Sequence, residues 1–117
     1  MAAPTPALPP NPDVEASLGL PLIDGIFDLD QVFAGVIPIV GSLSSCFPMG
    51  RDWEGEVLVR AVVTPSGAVG SSQVATTTLS TPGVERCLAD HVAKASFPAD
   101  QTRGDVTVVL PLNFYRP

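Results

Sequence analysis

The stretch TPGVERCLADHVAKASFP, residues 81–98, decides the fold. Thr81 supplies a hydroxyl where a helix needs an N-cap, and Pro82 stands at the first helical position, where no backbone N–H is required. Val84, Cys87, Leu88, His91, Val92 and Ala95 then recur at i, i+3, i+4, i+7, i+8 and i+11, which is one apolar face of an α-helix. Phe97-Pro98 ends the pattern. A helix with one apolar face has to cover another layer, so the flanking sequence must supply it.

It does so on both sides. Downstream, Val106, Val108, Leu110, Leu112 and Phe114 alternate with Thr107, Val109, Pro111 and Asn113, the period of a strand, and Pro111 predicts that this strand lies at an edge. Upstream, residues 56–64 (EVLVRAVVT) place Val57, Val59, Ala61 and Val63 on one face. Thr64-Pro65-Ser66-Gly67 is a turn, with Gly67 able to take positive φ, and residues 68–78 return as a Thr-rich strand with a bulge expected at Gly70-Ser71-Ser72.

Further back, Asp28 and Gln31 fit a capping box at the start of a first helix. Its stripe is Leu29, Val32, Val36, Ile39, Val40, Leu43, Cys46 and Phe47, and Pro38 inside it predicts a kink or a split into two short helices. Residues 14–27 read as an apolar strap that packs Leu20, Leu22, Ile23 and Phe27 onto the domain. Residues 1–13 hold Pro4, Pro6, Pro9, Pro10 and Pro12 and read as an extended tail. The expected organisation is therefore a tail and strap over 1–27 and one α+β domain over 28–117. In that domain two helices pack on one face of a three-stranded antiparallel sheet, in the order α-β-β-α-β.

Composition narrows the function. Apolar residues are 45% of the chain, enough for a core, and charged residues only 15%, which with 13 Pro and 10 Gly suits an extracytoplasmic domain of short elements. The formal net charge is −6, and the six Lys and Arg are scattered, which argues against binding nucleic acid or anionic lipid. The longest apolar stretch, residues 32–43, is broken by Gly35, Pro38 and Gly41, and its roughly 12 residues fall short of a membrane span. No direct membrane span, no nucleic acid and no cofactor are expected.

The two cysteines stand one on each helical stripe, so Cys46 and Cys87 are expected to meet. A bridge would close a loop of about 42 residues and stabilise by roughly 4 kcal/mol in the chain-entropy model. Two buried free thiols are the alternative. Two Cys and the single histidine, His91, fall short of a tetrahedral structural metal site without a carboxylate, so no metal is expected. Catalytic residues are not expected either. His91 would need Cys87 as a free nucleophile, while Ser42, Ser44 and Ser45 have no base at a recognisable spacing. The carboxylates of Asp24, Asp28, Asp30, Glu54 and Glu56 fall at caps and strand ends. Trp53, Phe114 and Tyr115 are the candidates for a partner-binding surface, with core packing as the competing reading of the same aromatics.

Several short motifs agree in order and spacing: Cys46-Phe47, Gly55-Glu56-Val57-Leu58-Val59, Thr64-Pro65-Ser66-Gly67-Ala68-Val69, Val84-Glu85-Arg86-Cys87-Leu88, Phe97-Pro98 and Leu110-Pro111-Leu112-Asn113-Phe114. Over residues 28–115 this resembles the AgmX/PglI C-terminal domain, a TonB-C-like module of envelope and gliding-motility proteins. The resemblance implies a periplasmic or envelope-located, non-catalytic module that binds envelope protein partners, and it implies the Cys46–Cys87 disulfide. Phe47 stands where that family usually has Tyr, and no Trp precedes Phe97-Pro98, so the resemblance carries the module and not energy transduction. A partner's strand added to a free sheet edge is the expected mode of contact. A homo-oligomeric structural subunit is the other expectation.

Overall fold

The computed structural model describes residues 14–48, 53–79, 81–100 and 104–116. The proline tail over 1–13 and residues 101–103 of the loop before the last strand lie outside them. Five strands and two α-helices follow in the order β1 (Glu15–Leu18), β2 (Leu22–Asp24), α1 (Leu29–Val40), β3 (Gly55–Val63), β4 (Val69–Thr77), α2 (Pro82–Ala93) and β5 (Val106–Tyr115), with a 3-10 turn at Leu43–Cys46. The fold is α+β with an antiparallel sheet, as expected, but the sheet has five strands rather than three.

The two extra strands come from the strap. β1 pairs with β5 from Glu15↔Tyr115 to Leu18↔Leu112, and β2 pairs with the same strand from Leu22↔Val109 to Asp24↔Thr107. They act as one edge strand broken at Gly19-Leu20-Pro21. Ile23 and Phe27 pack against the core as expected. Leu20 and Leu22 do not: they are 71% and 66% exposed, because the alternation turns Leu22 to the face opposite the helices and Leu20 sits in the break.

That arrangement also corrects the placement of Pro111. β5 is an inner strand, between β3 on one side and β1 and β2 on the other. The carbonyl of Pro111 accepts a hydrogen bond from the Gly19 N–H at 2.7 Å, so the Pro111 nitrogen faces that same side, where the edge strand is interrupted. Its missing donor falls in the break, and the ladder to β3 keeps all its N–H groups. A proline can therefore sit in an inner strand here.

α1 begins with the expected capping box, the Asp28 N–H donating to Gln31 Oε1 at 2.9 Å. It continues through Pro38 to Val40, since a proline in the last turn removes only one bond, and the chain breaks after it at Gly41-Ser42. Cys46 consequently lies on the separate 3-10 turn. α2 starts at Pro82 as expected, but the Thr81 hydroxyl turns back to donate to the Leu79 carbonyl at 3.1 Å and makes no cap bond. The β3–β4 hairpin turns at Gly67, with φ of 89°, and its register slips twice, leaving Gly70 and Ala75 as the extra residues.

One sheet face carries the core. Val57, Val59, Ala61 and Val63 of β3 and Val106, Val108, Leu110, Leu112 and Phe114 of β5 are buried against Val32 and Val36 of α1, Leu43 of the 3-10 turn and Val84, Leu88 and Val92 of α2. The opposite face presents Leu58, Val62, Val109 and Pro111, half-buried by their neighbours, with Arg60 and Leu22 exposed.

Candidate functional site

Cys46 and Cys87 form a disulfide, with Cα atoms 5.6 Å apart and a separation of 41 positions in sequence. The 3-10 turn aims Cys46 at α2. Its geometry is held by Ser45 N–H to Ser42 carbonyl at 3.1 Å and Phe47 N–H to Ser44 carbonyl at 3.2 Å. Phe47 then wedges against Trp53 and Phe114, ring centroids 5.2 and 4.7 Å away, which fixes the direction in which the chain leaves. On α2, Cys87 sits at the margin of the buried stripe, half-exposed, while Cys46 is buried.

His91, one turn along from Cys87, completes the cluster. Its Nδ1 lies 2.9 Å from the Cys87 carbonyl oxygen, which can only accept, so Nδ1 carries the proton and donates it there. The same atom stands 3.4 Å from Cys46 Sγ and 3.6 Å from Cys87 Sγ. Among the described residues, these are the Cys, His or carboxylate donors close enough to share an ion, all within 4.8 Å of one another. While the sulfurs are bonded to each other they offer no thiolate, and the bridge is a structural link with a satisfied imidazole beside it.

The other candidates fall elsewhere. Trp53 and Phe114 are buried, 3% and 2% exposed, and the Trp53 indole N–H donates to the Pro48 carbonyl at 2.9 Å. The surface expected of Trp53, Phe114 and Tyr115 is thus not a surface: two of the three are core, because Phe114 falls on the inward register of β5, and only Tyr115 is exposed. Tyr115 stands opposite Glu15, whose carboxylate takes its hydrogen bond and repels its anion, and the phenol is pushed above its ordinary 10.0. The Ser42 and Ser45 hydroxyls donate to the Ile39 and Ser42 carbonyls at 2.8 and 2.7 Å, and Ser44 is buried. They close the helix end.

No family model, curated protein or solved structure matches the chain. Two features stand out from the core. One is the bridged pair with His91, and the other is a pair of sheet edges, since among the described residues β4 pairs only with β3, and β1 and β2 pair only with β5. No helix among the described residues is long and apolar enough to cross a membrane.

Proposed function

We propose that the chain is a non-catalytic, TonB-C-like protein-binding module of the bacterial cell envelope, serving a trans-envelope or gliding-motility-type machine. The observation that carries this reading is the one-sided pairing of β4 among the described residues: it is nine residues long, and its outer backbone groups can receive a partner's strand. The disulfide supports an extracytoplasmic, periplasmic placement, because such bonds persist in oxidising compartments. The Thr78 N–H donates to the Glu56 carbonyl, so its neighbour Thr77 turns its own N–H outward, and Thr77→Pro blunts the edge while sparing the β3 ladder. Thr77→Val is the control for the lost hydroxyl, which accepts from the Leu79 N–H at 3.0 Å. Partner capture from a periplasmic extract should be lost in Thr77→Pro with circular dichroism unchanged. Undiminished capture by that variant contradicts strand addition.

A homo-oligomeric assembly is favoured by a different observation. Leu20, Leu22, Ile26 and Ile37 are large apolar side chains left 65% exposed or more. Light scattering on the eluting chain separates the readings: a stable oligomer at low concentration supports the assembly, and a monomer supports the partner-binding module.

A further inference from the structure

We infer that the reduced chain holds a thiophilic metal ion, of the Zn2+ type, on Cys46, Cys87 and His91, so that the disulfide and the metal site are alternative states of the same two sulfurs. This does not rest on the partner-binding reading. The first support is distance. A tetrahedral ion with bonds of about 2.3 Å to sulfur and about 2.05 Å to nitrogen sets its sulfur and nitrogen donors about 3.5 Å apart. His91 Nδ1 stands 3.4 and 3.6 Å from the two sulfurs. The sulfurs have to part to about 3.8 Å, which Cα atoms 5.6 Å apart allow by side-chain rotation, and the imidazole has to turn so that Nδ1 leaves the Cys87 carbonyl and faces them.

The second support is the scaffold. Cys87 and His91 are an i, i+4 pair on α2, the spacing that puts two ligands on one helix face. Cys46 comes from a turn tied by its own backbone bonds. Cys87 and His91 are half-exposed, which leaves an approach for the ion and a fourth position for water. Three protein ligands and a water make an open site, for which no carboxylate is needed.

Every chain is synthesised with thiols, so the reduced state precedes the bridge. Starting from the bridged protein, a dithiol reductant delivers two electrons and two protons. The S–S bond breaks, Cys46 and Cys87 become thiols, and the reductant closes to its own disulfide. The ion then displaces one proton from each thiol and binds the two thiolates. The His91 proton passes through solvent from Nδ1 to Nε2, freeing Nδ1 to ligate. The Cys87 carbonyl loses that side-chain bond but keeps the backbone N–H of His91, its ordinary helical donor.

The test uses the full chain, bridged or reduced with a phosphine, titrated with Co2+ and then Zn2+. Thiolate-to-metal charge-transfer absorption reports the sulfurs, and ligand-field bands report tetrahedral geometry. The reduced chain should bind one ion, release about two protons, and bind at least about 100-fold more tightly than the bridged chain. His91→Ala should weaken binding about tenfold or more, and Cys46→Ser with Cys87→Ser should abolish it. If reduction loosens the fold, Zn2+ should restore the helical circular dichroism of the reduced wild type and not of the double serine variant. Equal affinity in the bridged and reduced chains, no effect of His91→Ala, or a reduced chain that stays unfolded in excess Zn2+ each overturns the proposal.

Discussion

The two flanks of the sheet are built by opposite means. On one flank α2 lies across β3 and β4 and is tied covalently to the turn after α1, so its position is set by a bridge as well as by Val84, Leu88 and Val92. On the other, β1 and β2 hold to β5 by short backbone ladders of four and three pairs, and leave Leu20 and Leu22 in solvent. Burial and a covalent link make the first flank the stable one. The second owes its place mainly to hydrogen bonds and to Val14, Ala16, Leu18 and Ile23 against the core, and should open first.

The largest way to break this contrast is to cut the bridge. Cys46→Ala with Cys87→Ala should cost about 4 kcal/mol in urea unfolding, as expected for a loop of this length. Hydrogen exchange in α2 should accelerate strongly, while β1 and β2, already weakly protected, should change little. Uniform acceleration would mean that the flanks are not distinct.

Gly35→Ala comes next. Helix propensity alone predicts a gain of about 1 kcal/mol, since Gly is poor in a helix interior. A methyl there, however, runs into the ring of Phe97, which packs close against the bare α1 backbone. Overpacking should win, with a net loss of about 1–3 kcal/mol by thermal unfolding.

On the strap, Leu22→Ser should change stability by less than about 0.5 kcal/mol, because the side chain already stands in water. If the chain self-associates through this flank, the same substitution should shift the oligomer toward monomer in light scattering.

The smallest effect concerns the β1–β5 pairing at its outer end. Glu15 favours the neutral Tyr115 phenol in the fold, so the contribution is present below pH 10.0 and fades as pH rises through the higher folded value. Glu15→Gln should lower the Tyr115 midpoint toward 10.0 in an ultraviolet titration. An unmoved midpoint would show that β1 is not seated beside β5 in solution.

The helices, the hairpin and the bridge were legible because each is written locally. The i, i+3, i+4 spacing of α2, the Pro-Ser-Gly turn and the two cysteines on apolar stripes each carry their own signal. The strap was legible in part. Val14, Ala16 and Leu18 alternate with Glu15 and Ser17, a strand's period, but Gly19 and Pro21 hide its continuation into β2. The role of Gly35 and the tolerance of Pro111 were not legible, since each depends on a residue far away in sequence, Phe97 and Gly19 respectively. Nor could spacing show that His91 Nδ1 reaches both sulfurs, because Cys46 comes from a different segment.

Everything distinctive about the stable flank passes through one covalent bond, and its direct measurement is intact and peptide mass spectrometry without reduction. Chain purified from an oxidising compartment should resist alkylation and yield a single cross-linked fragment joining Cys46 to Cys87. Alkylation of both cysteines in folded, unreduced protein would contradict the account.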